Sequence, residues 1–115
     1  MKITSLYSGP DGQSHFREVD FPNDEAFNRG KSRRTKPMKA GEMFIMESDD
    51  KDNHDWHNAP RRQIFAVLSG WLEIEVGDGT KKRFHPGDVF IAEDTTGRGH
   101  LSRSMKRKAM VVPFA

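Results

Sequence analysis

The sequence lacks cysteine altogether, and it has no long apolar run. Without cysteine, disulfides, thiolate metal sites and cysteine nucleophiles are excluded, and the composition fits a reducing compartment. No apolar stretch approaches the roughly 20 residues that a helix needs to span a bilayer. The first six residues contain no apolar core of a secretory signal. We therefore expect a cytoplasmic protein that does not cross a membrane.

A strong excess of one charge is also missing. The 19 Lys and Arg residues are nearly balanced by 17 Asp and Glu residues, which leaves a net charge of +2. Basic residues cluster at 29–39 and 103–108, but no recognition helix or stacking-aromatic motif accompanies them. Solvated loops and strand edges explain these clusters without a nucleic-acid partner. An interaction module that uses the basic loop 29–39 stays open as an alternative.

Alternating apolar and polar residues predict strands along most of the chain. Leu72, Ile74 and Val76 alternate with glutamates, which is the period-2 pattern of a half-buried strand. Turn signals lie at Ser69-Gly70, Gly77–Gly79 and Pro86–Asp88. The predicted strands are 2–7, 14–20, 41–47, 64–68, 71–76, 81–84, 89–92, 99–104 and 109–114. A single helical turn is predicted at 23–28, and loops at 30–39 and 49–53. Many short strands with turns between them predict one sandwich or barrel domain over residues 1–115.

Two histidines, His57 and His100, bracket the central strands. A sheet that closes on itself can bring such distant residues to one point. Two imidazoles at one point are typical of a metal site. The structural alternatives are a hydrogen-bonded residue at a strand end for His57, and a barrel-lining residue that binds water or a substrate oxygen for His100.

The turn Pro86–Asp88 before an apolar strand, and Gly70 after a strand that begins near a histidine, resemble the two motifs of the cupin superfamily. The resemblance covers roughly residues 41–114. It implies an all-β fold, the cupin double-stranded β-helix or jelly-roll barrel, with two packed antiparallel sheets. It also implies a homodimer, in which residues 1–40 would contribute strands to the interface.

The resemblance further implies a divalent transition metal such as Zn, Fe, Ni or Mn, which cupins hold with three histidines and a glutamate. In that register His57, His100 and Gln63 are the predicted metal ligands, while Ala59 stands where a further histidine is usual. An amide in place of the carboxylate removes one negative charge that would offset the cation, so binding is expected to be weak. An additional acid or histidine would strengthen such a site, and the candidates are Asp55, Glu93, Asp94 and His54.

Strand alternation directs Gln63 and Phe65 inward, which predicts a cavity that is polar at its mouth and apolar deeper in. Trp56 as a wall of the mouth and Arg62 as a carboxylate-binding residue at the rim complete the predicted ligand site. The alternatives are packing for Trp56 and a surface salt bridge for Arg62.

These observations predict a small-molecule-binding cupin of unknown substrate. One hypothesis is a metal-dependent enzyme, of dioxygenase, isomerase or lyase type, with a degenerate metal site. The second is a metal-free binding or sensing barrel that uses the same residues. No nucleophilic triad or phosphate-binding glycine loop is present in the sequence.

Overall fold

The computed structural model describes residues 1–27 and 29–115, and these form strands without any helix. The strands are β1 (Lys2–Ser8), β2 (Ser14–Asp20), β3 (Phe44–Glu47), β4 (Lys51–His57), β5 (Gln63–Glu75), β6 (Lys81–Phe84), β7 (Val89–Glu93) and β8 (His100–Pro113). The all-β class is therefore confirmed. The helical turn predicted at 23–28 is wrong for its described part, which forms a non-helical turn; Asn28 lies outside the described residues.

The longest strands, β5 and β8, each join two strands that the sequence predicted separately. The turn predicted at Ser69-Gly70 is wrong, because β5 continues through it. Gly70 has a φ of 67°, and a Cβ there would lie 2.2 Å from the carbonyl oxygens of Met105 and Lys106. The glycine thus permits a bulge against β8 rather than a reversal of the chain. Lys106, with a φ of 46°, marks the matching irregularity in β8.

The bulged pair β5–β8 connects the two halves of the barrel. In one half the strand order is β2-β1-β7-β5-β8-β3. In the other half β6 pairs with the second part of β5, and β4 pairs with the first part of β8. Strands that bend at bulges commonly pass from one layer to the other in this way. The result is one hydrogen-bonded network. The pairing of β1 with β7 is parallel, which the prediction of purely antiparallel sheets did not include.

A stack of phenyl rings fills the space between the halves. Phe90 on β7 is 1% exposed, and its ring lies 4.8 Å from Phe65 on β5 and 4.2 Å from Phe84 on β6. The buried apolar residues that surround this stack are Leu6, Ala59, Val67, Leu72, Ile74, Val76 and Ala92. This core also provides part of the wall of the candidate site.

The segments outside the central strands are placed as follows. β1 pairs with β2 and β7 of its own chain, so the predicted role of residues 1–40 in a dimer stays a prediction. The loop predicted at 49–53 is wrong in its second half, because β4 begins at Lys51 and pairs there with β8. Within residues 1–27 and 29–115, no helix is long and apolar enough to cross a membrane.

Part of the charge in the basic segment 29–39 is used inside the chain. Arg34 donates to the Asp24 carboxylate at 2.8 Å, and its guanidinium lies 4.6 Å from the centre of the Phe27 ring. Apart from isolated bridges, the described residues of this segment form a loop, as predicted. Its use as an interaction surface stays a prediction.

Candidate functional site

The ends of two strands bring the two predicted site histidines together. His57 is the last residue of β4 and His100 the first residue of β8, and the two are partners in the β4–β8 ladder. Their ring centroids lie 4.4 Å apart. Gly99 makes this approach possible, because a Cβ at that position would lie 2.1 Å from the His57 carbonyl oxygen. His57 is exposed at the mouth of the barrel, whereas His100 is buried.

Hydrogen bonds fix the protonation of both rings at Nδ1. His57 Nδ1 lies 2.6 Å from the carbonyl oxygen of Asp55, which can only accept, so this nitrogen carries the proton. His100 Nδ1 lies 2.5 Å from Asp94 Oδ2 and donates to it in the same way. Both Nε2 atoms are therefore left as acceptors for another group when the rings are neutral.

Asp94 is an unusually buried carboxylate. The residue is 0% exposed, and its Oδ1 has no hydrogen-bond partner among the described residues. Its carbonyl oxygen accepts from the Asn58 side chain at 3.2 Å and from the Ala59 backbone at 3.3 Å. The carboxylate is thus held against His100 by the segment that follows β4. Asp94 was predicted only as a possible metal ligand, but its contact is with the imidazole.

A cavity of about 200 Å³ opens beside the two histidines. This volume is below the roughly 300–1,000 Å³ of typical drug-sized ligand pockets, so it suits a small molecule. Apart from His57 and His100, the lining residues are Phe44, Met46, His54, Asn58, Ala59, Pro60, Gln63, Phe65, Leu72, Ile74, Phe90, Ala92, Ser102 and Arg107. The Met43 side chain does not fill this space, because it is 54% exposed.

Two of the predicted ligand-binding residues line this cavity. Gln63 is 6% exposed, and its amide is one of the few polar groups in the wall. Phe65 follows two residues later on the same strand and contributes an apolar face, as strand alternation predicted. Both residues therefore belong to the candidate site.

The other two predicted ligand-binding residues, Trp56 and Arg62, lie outside the cavity lining. The Arg98 guanidinium covers the Trp56 ring at 3.7 Å. Arg62 lies over the Phe114 ring at 4.1 Å, and its Nε is 3.5 Å from Glu93 Oε1. These contacts match the packing and surface salt-bridge alternatives. We therefore leave Trp56 and Arg62 out of the candidate site.

Arg107 is a cavity residue that sequence reasoning missed. It is 5% exposed, and its Nε has no hydrogen-bond partner among the described residues. Burial lowers the pKa of the guanidinium, an effect that the nearby Asp52 partly opposes. An arginine nevertheless keeps its charge in a protein, so the cavity wall carries a positive charge. The sequence did contain a signal, because Arg107 is separated by one residue from Ala109 and by three from Val111, and alternate residues of a strand face the same side.

The side chains that were expected to strengthen a metal site have other partners. Asp55 accepts from the Trp56 backbone at 2.8 Å, Glu93 accepts from Ser5 at 2.5 Å, Asp94 is bound to His100, and His54 pairs with Asp52 at 2.8 Å. Among the described residues, no group of three or more histidine and acidic side chains converges as a metal site would require.

The residues around the cavity therefore do not fit a resident transition metal. The side chains of the lining that could bind a cation are three imidazoles (His54, His57 and His100) and the neutral amides of Asn58 and Gln63, and none of them supplies a negative charge. His54 Nε2 is already paired with Asp52 at 2.8 Å. The buried guanidinium of Arg107 adds a positive charge to the same cavity, which repels a cation. The predicted metal-ligand roles receive no support from this chemistry.

Comparisons with known proteins bear on the fold. No family model and no curated protein matches the sequence. An RmlC-like cupin from Shewanella frigidimarina aligns with a TM-score of 0.50 and 16% identity, over 81% of this chain and 94% of that chain. A cupin-2 domain protein from the same organism aligns with a TM-score of 0.49 and 18% identity, over 77% of this chain and 85% of that chain. The cupin domain of Schizosaccharomyces pombe Cnp3 aligns with a TM-score of 0.48 and 15% identity, over 99% of this chain and 84% of that chain. Together with the strand order, the RmlC-like similarity indicates that this chain has the fold of the small cupins.

Proposed function

We propose that this barrel binds a small organic molecule in the cavity beside His57 and His100, and that it does so without a metal ion. The observation that carries the proposal is the state of the two imidazoles at the cavity wall. Each ring has Nδ1 bound to its own chain, and neither Nε2 has a hydrogen-bond partner among the described residues. The surrounding wall is mainly apolar, which is the usual character of a small-molecule site.

The polar groups indicate how such a molecule would be oriented. Its apolar part would lie against Phe65, Leu72 and Phe90, away from the mouth. A hydroxyl group of the ligand would donate to Nε2 of His100, and the Gln63 amide can donate or accept. Each such hydrogen bond contributes about 0.5–1.5 kcal/mol net, so orientation rather than high affinity is the main effect.

A second candidate, an enzyme that transfers protons on the bound molecule, is favoured by the contact between Asp94 and His100. A buried carboxylate that holds Nδ1 leaves Nε2 positioned as a general base within the cavity. Isomerase and lyase steps are reactions that such a base assists. This candidate uses the same ligand site and adds one chemical step to it.

The binding proposal is tested with a library of small polar molecules observed by ligand-detected NMR, with metal analysis of the same protein. We expect at least one molecule to bind, His57→Ala to weaken that binding, and transition-metal content to be the same in both proteins. His85→Ala is the matched control, because His85 is exposed in a turn and does not line the cavity. Stoichiometric metal whose removal abolishes ligand binding would overturn the metal-free proposal.

The enzyme candidate is tested by incubating a bound molecule in D₂O and following loss of its C–H signals. Asp94→Asn is expected to slow this exchange while ligand binding persists, because the amide no longer holds the imidazole as an acceptor at Nε2. Equal exchange rates in the wild type, Asp94→Asn and protein-free solution would leave binding as the function.

A further inference from the structure

Arg107 is a buried cation that the fold leaves incompletely paired. Its one ion-pair contact among the described residues is Asp52 Oδ2, 3.9 Å from Nη2, which is beyond hydrogen-bond distance. Its Nε is buried and has no partner in the described part of the chain. A buried charge is costly unless it is paired and hydrogen-bonded. Such a cation therefore points to a partner that the chain itself does not supply.

The position of Arg107 indicates where that partner would bind. Arg107 lines the same cavity as His100 and Gln63, and no aspartate or glutamate among the described residues lines it. The cavity wall thus offers a positive charge, and Asp52, which offsets part of that charge at 3.9 Å, is not one of the lining residues. A planar guanidinium matches a planar carboxylate, because two parallel N–H groups can bind its two oxygens.

We propose that the ligand of this cavity is a small organic monocarboxylate whose carboxylate binds Arg107. This inference rests on the proposed small-molecule function and adds the class of ligand to it. One guanidinium balances one negative charge, whereas a phosphate monoester carries about −1.5 to −2 at neutral pH. The small volume and the apolar wall favour a short or compact carbon skeleton over a sugar phosphate.

Matched acids and amides provide the test. Benzoate and butyrate are compared with benzamide and butyramide, which keep nearly the same shape without the charge. Each is titrated at millimolar concentration into wild-type protein, Arg107→Gln and Lys108→Gln, with NMR signals of His57 and His100 as the readout. Lys108→Gln is the control because it removes the same charge from the neighbouring, exposed position of β8.

We expect the acids to bind the wild type and Lys108→Gln about tenfold or more tightly than Arg107→Gln, because a hydrogen-bonded ion pair is lost. The amides should bind weakly to all three proteins. Arg107→Lys provides a second variant should Arg107→Gln not fold; it keeps the charge and should retain the preference for acids over amides.

Equal affinity for acids and amides, or acid binding that Arg107→Gln leaves unchanged, would overturn the carboxylate inference and leave the small-molecule function standing. Tighter binding of inorganic phosphate than of either acid would also overturn it. Failure of all four compounds, together with failure of every molecule in the general library, would overturn the proposed function as well.

Discussion

Gly99→Ala is expected to separate the two histidines of the site. Gly99 has a φ of 80°, and a Cβ there would lie 2.1 Å from the His57 carbonyl oxygen and 2.8 Å from the Asn58 nitrogen. Both obstacles are backbone atoms, so no side-chain rotation can relieve the clash. The end of β4 must move away from the start of β8, and the imidazole rings move with these strands.

The magnitude follows from two separate costs. The left-handed backbone conformation costs an alanine about 1–2 kcal/mol relative to glycine. Inserting an atom into a closely packed region adds about 1–3 kcal/mol. The free energy of unfolding should therefore fall by about 2–5 kcal/mol in Gly99→Ala. Gly79→Ala is the matched control, because Gly79 has a φ of 93° but nothing lies within 4 Å of its Cβ position.

Urea denaturation measures both variants, and NMR measures the site. We expect Gly99→Ala to be clearly less stable than Gly79→Ala, and the nuclear Overhauser effect between the His57 and His100 rings to weaken only in Gly99→Ala. Equal destabilisation in the two variants, with the inter-ring signal unchanged, would refute the conclusion that Gly99 determines this approach.

Two further predictions concern stability. Phe90→Ala should lower the free energy of unfolding by about 3–5 kcal/mol in urea denaturation, because it empties the centre of the phenyl stack; a loss no larger than that of the exposed Val89→Ala would contradict this. His15 contacts Asp11 at 2.9 Å and Asp78 at 3.0 Å, and these hydrogen bonds raise the pKa of His15 above its ordinary 6.5. The stabilisation that these two contacts give the folded protein is therefore complete below about pH 6.5, and it is lost as the pH rises through the higher pKa that His15 has in the folded state. The melting temperature of the wild type should exceed that of His15→Asn by more at about pH 6, where His15 is protonated, than at about pH 9, where it is neutral. A difference that stays constant between these pH values would argue against the contact.

Local patterns predicted most of the strands, because alternation of apolar and polar residues depends only on which face is buried. The prediction of a turn at Ser69-Gly70 failed because a glycine can serve in a turn or in a bulge. Gly70 has a positive φ, which suits a turn as well as a bulge, and the choice depends on the partner strand. Because β8 runs beside β5 at this point, the chain continues through the glycine instead of reversing.

The residues of the candidate site were likewise predicted only in part. The family resemblance was enough to select His57, His100 and Gln63, and the fold places all three at one cavity. The alternation of Arg107 with Ala109 and Val111 was a signal for an inward arginine, but the strand predicted at 109–114 began after Arg107. The irregularity at Lys106 shifts the phase of β8, so the inward positions change from even to odd numbers along that strand.

The sequence by itself determined the all-β class and the absence of thiol chemistry, because both depend on residue type and local order alone. The tertiary structure decided what the pocket contains. It placed Asp94 behind His100 and left the buried guanidinium of Arg107 without a complete partner. Asp94 and His100 are only six residues apart, but the segment after β4 packs against Asp94, and β4 pairs with β8 beside Arg107. The surroundings of both charged groups therefore form only when β4 and β8, which are distant in sequence, come together.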